Sequence, residues 1–283
     1  MKKAVLGVIL CLSLAVFGFS GGFSIKLNGG ANFLMGGDYN KIVEDANAYW
    51  HSVSGLTFSS DLSKLSMGWN FGAEFIYSIT DQMGIGLGVG YITASNESTL
   101  DMQTAVVYQS YAYTPSLSVI PITLNFHYFM PVSDMMNVHF SAGPGLYISS
   151  FSFADHMIIG ILPSTDALNL TIDYQPDGIL AFGFQGGLGI EFAINPNISL
   201  CLDVLGRVAS LSGFSGDWTR TGTLLGNPVS DSGTGTFYYY ESEGYSSFYI
   251  SATMPSGSGI TNAREASISL SGVCAMLGIK INI

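Results

Sequence analysis

The sequence predicts an all-β fold, an eight-stranded antiparallel up-and-down transmembrane β-barrel, and three observations lead to it. Charged residues make up only 10% of the 283 residues, whereas a soluble domain carries about 25%. No run of about 20 apolar residues follows the N-terminus, so a membrane-crossing helix is not expected. Eight segments alternate apolar with small or polar residues. Because only helices and closed barrels satisfy every backbone polar group inside lipid, the alternating segments predict a barrel.

The eight strands follow one another with the same two-residue period. The first two and the last four place Phe, Ile, Leu and Val on one face and Ser, Asn, Gly or charged residues on the other. The third opposes its apolar residues with four glycines, and the fourth opposes its own with Thr123, Asn125 and His127. The alternation covers residues 23–33, 67–79, 84–91, 120–128, 138–142, 182–192, 198–207 and 273–283.

The connections between these strands are alternately short and long, which is the order expected of an outer-membrane barrel. We predict short periplasmic turns at residues 80–82, 131–136 and 195–197. We predict four long extracellular loops at residues 36–66, 94–115, 151–178 and 210–265. With eight strands, both chain ends then lie on the periplasmic side.

The N-terminus has the order of a secretory signal. Lys2 and Lys3 precede an uncharged stretch from Ala4 to Phe19, and small residues follow. We therefore expect residues 1–22 to be a cleaved signal peptide and residues 23–283 to form a single barrel domain. The expected location is the outer membrane of a Gram-negative cell.

An interior enclosed by eight strands is just wide enough to be filled by side chains. The alternation places six charged residues and two histidines inside, with three charges of each sign. Buried charges must be paired to be tolerated, so we interpret the set as a salt-bridged plug; a gated conduit or a proton-linked path through the same residues is the alternative. The predicted lumenal network is Lys26, Glu74, His127, His139, Glu191, Asp203, Arg207 and Lys280.

Two cysteines remain in the expected mature chain, Cys201 and Cys274, both on the inner face of neighbouring strands. If the last hairpin pairs residues whose numbers sum to 475, these two are cross-strand partners. Export leads to an oxidising compartment where a disulfide can form. The sequence therefore allows two alternatives, a cross-strand disulfide or two buried thiols.

The chain resembles the OmpA/OmpW-like superfamily of small outer-membrane β-barrels, the outer membrane protein beta-barrel domain, over nearly its whole mature length. The most local element is the C-terminal run 278–283, where Gly278, Ile281 and Ile283 resemble the signal read by the barrel assembly machinery. The terminal aromatic residue of that signal is replaced by Ile283. The resemblance implies a monomer whose partners are outer-membrane lipid, lipopolysaccharide, the assembly machinery and periplasmic chaperones.

The four predicted loops contain 15 acidic and four basic residues, and their excess equals the chain's net charge of −11. This charge argues against nucleic acid as a partner, because its phosphates would be repelled. Solvated loops are the simpler interpretation, and divalent-cation bridging to lipopolysaccharide is the alternative. The Tyr-rich segment 210–265 either extends the strands above the membrane or forms a recognition surface.

The residues His139-Phe140-Ser141 partly resemble the His-x-Ser pair of PagL lipid A deacylases. That family has Asn after the serine, whereas this chain has Ala142. We therefore expect no enzyme and no cofactor or metal. The leading hypothesis is a structural anchor or a handler of small or apolar ligands with a plugged lumen. A surface adhesin acting through residues 210–265 is the alternative, and a lipid A-modifying barrel is a lesser one.

Overall fold

The computed structural model describes residues 22–53, 57–161, 166–242 and 244–283. Apart from Gly22, the predicted signal peptide lies outside these residues. They form one helix, α1 (Asp38–Ser52), and antiparallel β-structure. The strands are β1 (Phe23–Leu34), β2 (Thr57–Asp61), β3 (Met67–Ser78), β4 (Met83–Ser95), β5 (Ser98–Gln103), β6 (Val107–Ser133), β7 (Met136–Ile161), β8 (Asp166–Pro176), β9 (Ile179–Asn195), β10 (Ile198–Ser212), β11 (Ser215–Leu224), β12 (Asn227–Ser242), β13 (Tyr245–Ser251), β14 (Ile260–Glu265), β15 (Ser267–Ser269) and β16 (Gly272–Asn282).

Eight of these strands are hydrogen-bonded in a circuit. β1 pairs with β3, then β4, β6, β7, β9, β10 and β16 follow, and β16 pairs again with β1. Each of the eight predicted segments coincides with one of these strands, except that Ile79 and Ile283 lie one residue beyond the ends of β3 and β16. The antiparallel all-β fold is therefore confirmed. The described part of the chain forms sixteen strands, and a barrel of eight stays a prediction.

The short connections lie at one end of the circuit, here called the turn end. They are residues 79–82, 134–135 and 196–197, where turns are predicted. The expectation of four long loops at the other end is wrong, because those segments are folded. β6 and β7 stay paired from Ser133 and Met136 out to Val107 and Ile161. The segments also contain α1, β2, β5, β8 and β11 to β14, and β15 follows the last of them. We call this assembly the cap.

Helix α1 belongs to the cap and buries one face. Tyr39, Ile42 and Val43 recur at the three- and four-residue spacing that aligns side chains on a helix, and all three are buried. At the helix start, the Asp38 carboxylate accepts hydrogen bonds from Arg264 Nη2 at 2.8 Å and from the Ser267 backbone N–H at 2.8 Å. These bonds fix the helix to β14 and β15. Within the described residues, no helix is sufficiently long and apolar to span a membrane.

The two faces of the long strands exchange their polarity partway along. On β10, the exposed face is apolar from Ile198 to Val208 and then carries Ser210 and Ser212. The buried face of the same strand carries Asp203 and Arg207 and then turns apolar. β4, β6 and β7 make the same change: the apolar residues on this side end at Tyr91, Ile120 and Ile148, and Thr93, Ser118 and Ser150 come next toward the cap. Beyond that level, toward the cap, the exposed faces carry serine and threonine.

The buried face inside the cap forms one apolar core. Phe151, Phe153, Phe237 and Phe248 contact one another with ring centroids 4.7 to 6.4 Å apart. Segment 237–240, considered above as a recognition surface, lies in β12, and Phe237, Tyr238 and Tyr239 are buried. Residues 237–240 therefore lie in a strand of the antiparallel sheet, as the strand-extension interpretation expects, with three consecutive side chains buried.

β11 and β12 form a hairpin that extends the cap. Leu224 pairs with Asn227 across a two-residue turn of Leu225 and Gly226, whose φ angles are 50° and 77°. Two-residue turns with positive φ at both positions are favoured in β-hairpins, because their twist matches that of the paired strands. Leu225 is 72% exposed at this tip.

Candidate functional site

The predicted lumenal network lies on the buried face in the half of the circuit near the turn end. Seven of its eight members are buried, and the Lys280 side chain is 12% exposed. The structure brings them together as three ion-pair groups and one isolated arginine.

The first group is built by β1, β7 and β10. The Lys26 ammonium lies 2.8 Å from both carboxylate oxygens of Asp203. His139 Nε2 lies 2.7 Å from Asp203 Oδ1 and 3.3 Å from Lys26 Nζ. Asp203 is thus held by two side chains from two other strands.

The second group centres on Glu74 of β3. Its Oε1 atom lies 2.9 Å from His127 Nε2 and accepts a hydrogen bond from Asn125 Nδ2 at 2.7 Å. Gln185 Nε2 continues the chain by donating to Asn125 Oδ1 at 3.1 Å. A glycine at position 86 makes room, because a Cβ there would lie 2.7 Å from His127 Nε2.

The third group lies closest to the turn end. Lys280 Nζ donates to both carboxylate oxygens of Glu191 at 3.0 Å and lies 4.5 Å from the ring centroid of Phe129. The Phe129 ring also stacks on His127, with centroids 5.7 Å apart. Phe129 is not among the residues predicted for the lumen, although it follows His127 by two positions on β6 and therefore lies on the same buried face.

Arg207 lies where the charged half meets the apolar core. Its guanidinium carbon is 5.7 Å from the ring centroid of Tyr147. Its Nε and Nη1 atoms are buried and have no hydrogen-bond partner among the described residues. A cavity of about 70 Å³ lies beside Arg207, Lys26 and Glu74, which is room for only a few water molecules.

The predicted register of the last two strands is wrong by four residues. Cys201 pairs with Gly278, and Cys274 pairs with Leu205, so the paired numbers sum to 479 instead of 475. The two cysteines are separated by about 13 Å along the strands, at about 3.3 Å per residue, well beyond the reach of a disulfide. Both are buried free thiols.

The cap encloses a second cavity, of about 340 Å³, between α1, β5, β6, β7 and β13. Aromatic rings line it together with the carboxylate of Asp155 on β7. From the sequence, Asp155 is expected to be one of the acidic loop residues, and this cavity is not predicted. The sequence does contain a pattern that points to it: Phe151, Phe153 and Asp155 continue the two-residue alternation of the earlier part of β7.

His139 and Ser141 share the buried face of β7, but His139 is engaged by Asp203 and Lys26 as described. No group of three or more His, Cys, Asp or Glu side chains suited to a metal ion occurs in the described parts of the chain.

An antiparallel sheet with apolar exposed faces and a charged interior is typical of proteins that cross an outer membrane on strands. The family model of the outer membrane protein beta-barrel domain matches residues 43–224, more than half of the chain. The chain therefore belongs to this family, which confirms the membership predicted from the sequence and implies the bacterial outer membrane.

Two solved structures are similar over most of their length. The outer membrane protein OprG from Pseudomonas aeruginosa is 12% identical, with coverage of 93% of this chain and 96% of OprG and a TM-score of 0.35. A major outer membrane protein from Thermus thermophilus is 12% identical, with coverage of 92% and 99% and a TM-score of 0.36. The comparison with curated proteins gave no match.

Proposed function

We propose that this chain is an eight-stranded outer-membrane barrel that is closed to ions and anchors the folded cap at the cell surface. The observation that carries the proposal is the exchange of polarity along β4, β6, β7 and β10. An exposed face that is apolar over one stretch and serine-rich beyond it fits a strand that leaves lipid and enters water.

The length of the apolar stretch supports a membrane crossing. On β10 it runs from Ile198 to Val208, which is 11 residues, and a tilted transmembrane strand needs about 9 to 11. Leu202 and Val208 are 57% and 69% exposed on this face. The short turns then lie on the periplasmic side and the cap outside.

Closure to ions is supported by two barriers in series. The ion-pair groups fill the half near the turn end, and the apolar core fills the half inside the cap. An ion on this route would have to separate buried pairs and then pass an apolar layer, and each step costs several kcal/mol. A salt-bridged plug therefore fits better than a gated conduit.

The cap cavity favours the handling of a small ligand in addition to anchoring. Adhesion through the tyrosines of residues 237–240 has less support, because three of those four residues are buried. We propose no catalysis by His139 and Ser141, since Asp203 and Lys26 occupy His139 Nε2 and the other ring nitrogen, Nδ1, has no hydrogen-bond partner among the described residues and so does not reach the Ser141 hydroxyl.

The test combines gel mobility with planar-bilayer conductance of the detergent-extracted protein. We expect unboiled and boiled samples to migrate differently, because a closed barrel resists unfolding in detergent, and we expect no stepwise conductance. Identical mobility together with release from envelopes by urea would contradict the barrel. Regular porin-like steps would contradict the closed interior.

A further inference from the structure

The cap cavity has the size and walls of a ligand site. Its volume of about 340 Å³ falls at the lower end of the range for small-molecule pockets, about 300 to 1,000 Å³. Six aromatic residues from three elements line it: Tyr39 and Trp50 of α1, Tyr111 and Tyr113 of β6, and Tyr245 and Phe248 of β13.

Two of these rings form a corner. Tyr113 and Phe248 have centroids 6.3 Å apart and planes at 83°, and Tyr111 stacks beside Tyr113 with centroids 6.0 Å apart and planes at 9°. Ring faces carry negative potential, so adjacent rings at right angles attract a cation placed between them.

Asp155 supplies a charge that lacks a counterpart in the described part of the chain. Its Oδ1 atom is buried and has no hydrogen-bond partner among the described residues, and the ion pairs formed by those residues do not include it. The next residue, His156, bonds instead to Asn169 at 3.0 Å. Burial raises the pKa of the Asp155 carboxyl to about 6, against a smaller lowering by His156.

The nearest basic side chain of α1 is already neutralised. Lys41 Nζ lies 2.6 Å from Asp45 and 2.9 Å from Ser246 Oγ, and Ser246 lines the cavity whereas Lys41 does not. A buried carboxylate beside an empty aromatic space lacks the partner that buried charges require.

We propose that this cavity binds a small organic cation, an ammonium group carried on an apolar body, with the charge at Asp155 and the body against Tyr111, Tyr113 and Phe248. The inference goes beyond the proposed function and does not depend on it. The walls of the cavity all belong to the cap. A barrel that conducts ions would contradict the proposed function but not the proposed binding site.

Binding is measured by calorimetry on the full chain refolded in lipid nanodiscs. The cationic probes are choline and benzyltrimethylammonium. The neutral probe is 3,3-dimethyl-1-butanol, which has the shape of choline with carbon in place of nitrogen. We expect at least about tenfold tighter binding of choline than of the alcohol, because only the cation pairs with the carboxylate and the ring faces. Equal affinity would overturn the proposal.

Two variants locate the site. Asp155→Asn keeps the shape and removes the charge, so we expect about tenfold weaker binding of both cations and unchanged binding of the alcohol. The matched control is Asp173→Asn, the same change on the exposed face of the neighbouring strand β8, and it should leave binding unchanged. Unaltered choline affinity in Asp155→Asn would overturn the proposal. If that variant does not fold, the probe comparison on the unaltered chain still decides.

The pH dependence gives a second readout on the unaltered chain. Choline affinity should fall as the pH drops below about 6, because the carboxylate becomes protonated. The other titratable groups facing the cavity are Tyr39, Tyr111, Tyr113 and Tyr245, phenols that stay neutral in this range; His156 is next in the chain, and Lys41 and Asp45 lie behind Ser246. Cation binding that is independent of pH between about 5 and 8 would contradict a role for Asp155.

Discussion

At the scale of single residues, the interior depends on pairing. Lys26, Glu74, His139 and Asp203 were placed inside from alternation alone, because each lies in phase with the small and polar residues of its strand. Which charge would meet which could not be predicted, since partners come from strands distant in sequence: Lys26 and Asp203 are 177 residues apart.

Replacing Lys26 by Met should destabilise the protein strongly. The substitution leaves the buried Asp203 carboxylate without its main counter-charge, and breaking a buried pair costs about 3 to 5 kcal/mol. The measurement is the free energy of unfolding by urea in lipid vesicles. The control is Lys64→Met, whose pair with Glu44 is exposed and should matter by less than about 1 kcal/mol. Similar losses for both variants would argue against a buried pair.

Asp155 should make the unliganded cap less stable at neutral pH than in mild acid. Its folded pKa of about 6 exceeds the usual unfolded value, so the folded state binds a proton more tightly. The protonated carboxyl group therefore stabilises the folded cap below about pH 4, and this contribution to the free energy of unfolding is lost as the pH rises through about 6. The loss is roughly 3 kcal/mol at most.

This pH effect is measured by hydrogen exchange of the β7 and β8 amides at about pH 5 and about pH 8, corrected for intrinsic rates. Asp155→Asn should remove the difference, while Asp173→Asn should retain it. A wild-type cap that is more stable at the higher pH would contradict the buried position of Asp155.

At the scale of elements, the eight strands of the circuit could be predicted from the sequence and the cap could not. Alternation located β10 from Ile198 to Arg207, within the observed Ile198–Ser212. Beyond Val208 the two-residue alternation continues, but the apolar residues move to the buried face and the polar residues to the exposed face. If the exposed face is assumed to stay apolar, this segment is predicted to be a loop. Helix α1 was missed for a related reason: its spacing of Tyr39, Ile42 and Val43 lies within a connection assigned to the solvent.

A charge on β10 should report where the membrane ends. Leu202→Arg places arginine on the apolar part of the exposed face, where the cost is about 2 to 4 kcal/mol near the membrane midplane. Ser212→Arg lies on the same face of the same strand beyond the exchange and should cost close to nothing. Folding free energies in lipid vesicles distinguish the two. Equal costs would mean that Ser212 also faces lipid, or that neither residue does.

The register of β10 against β16 fixes the state of the cysteines. Because Cys201 and Cys274 are four positions out of register, both should remain thiols in the exported protein. Alkylation after denaturation without reductant should add two labels to the intact mass. No label on either residue, with two labels after reduction, would mean that these strands pair differently.

At the scale of the whole molecule, the two barriers should act independently. Glu191→Ala with Lys280→Ala removes one complete ion pair, and loss of both partners is tolerated better than loss of one. We expect this double variant to insert and still conduct no ions, because the apolar core remains in the cap. Single-channel steps in planar bilayers would show that the charged half alone closes the interior.

The hairpin of β11 and β12 also offers a practical use. Its tip at Leu225 and Gly226 is the exposed end of the cap, and a side chain added at Gly226 would meet no other atom within 4 Å. A peptide epitope inserted between these two residues would be carried on a paired stem, away from α1 and from the cavity. The protein would then serve as a display scaffold whose insertion site is separate from the proposed ligand site and from the strand circuit.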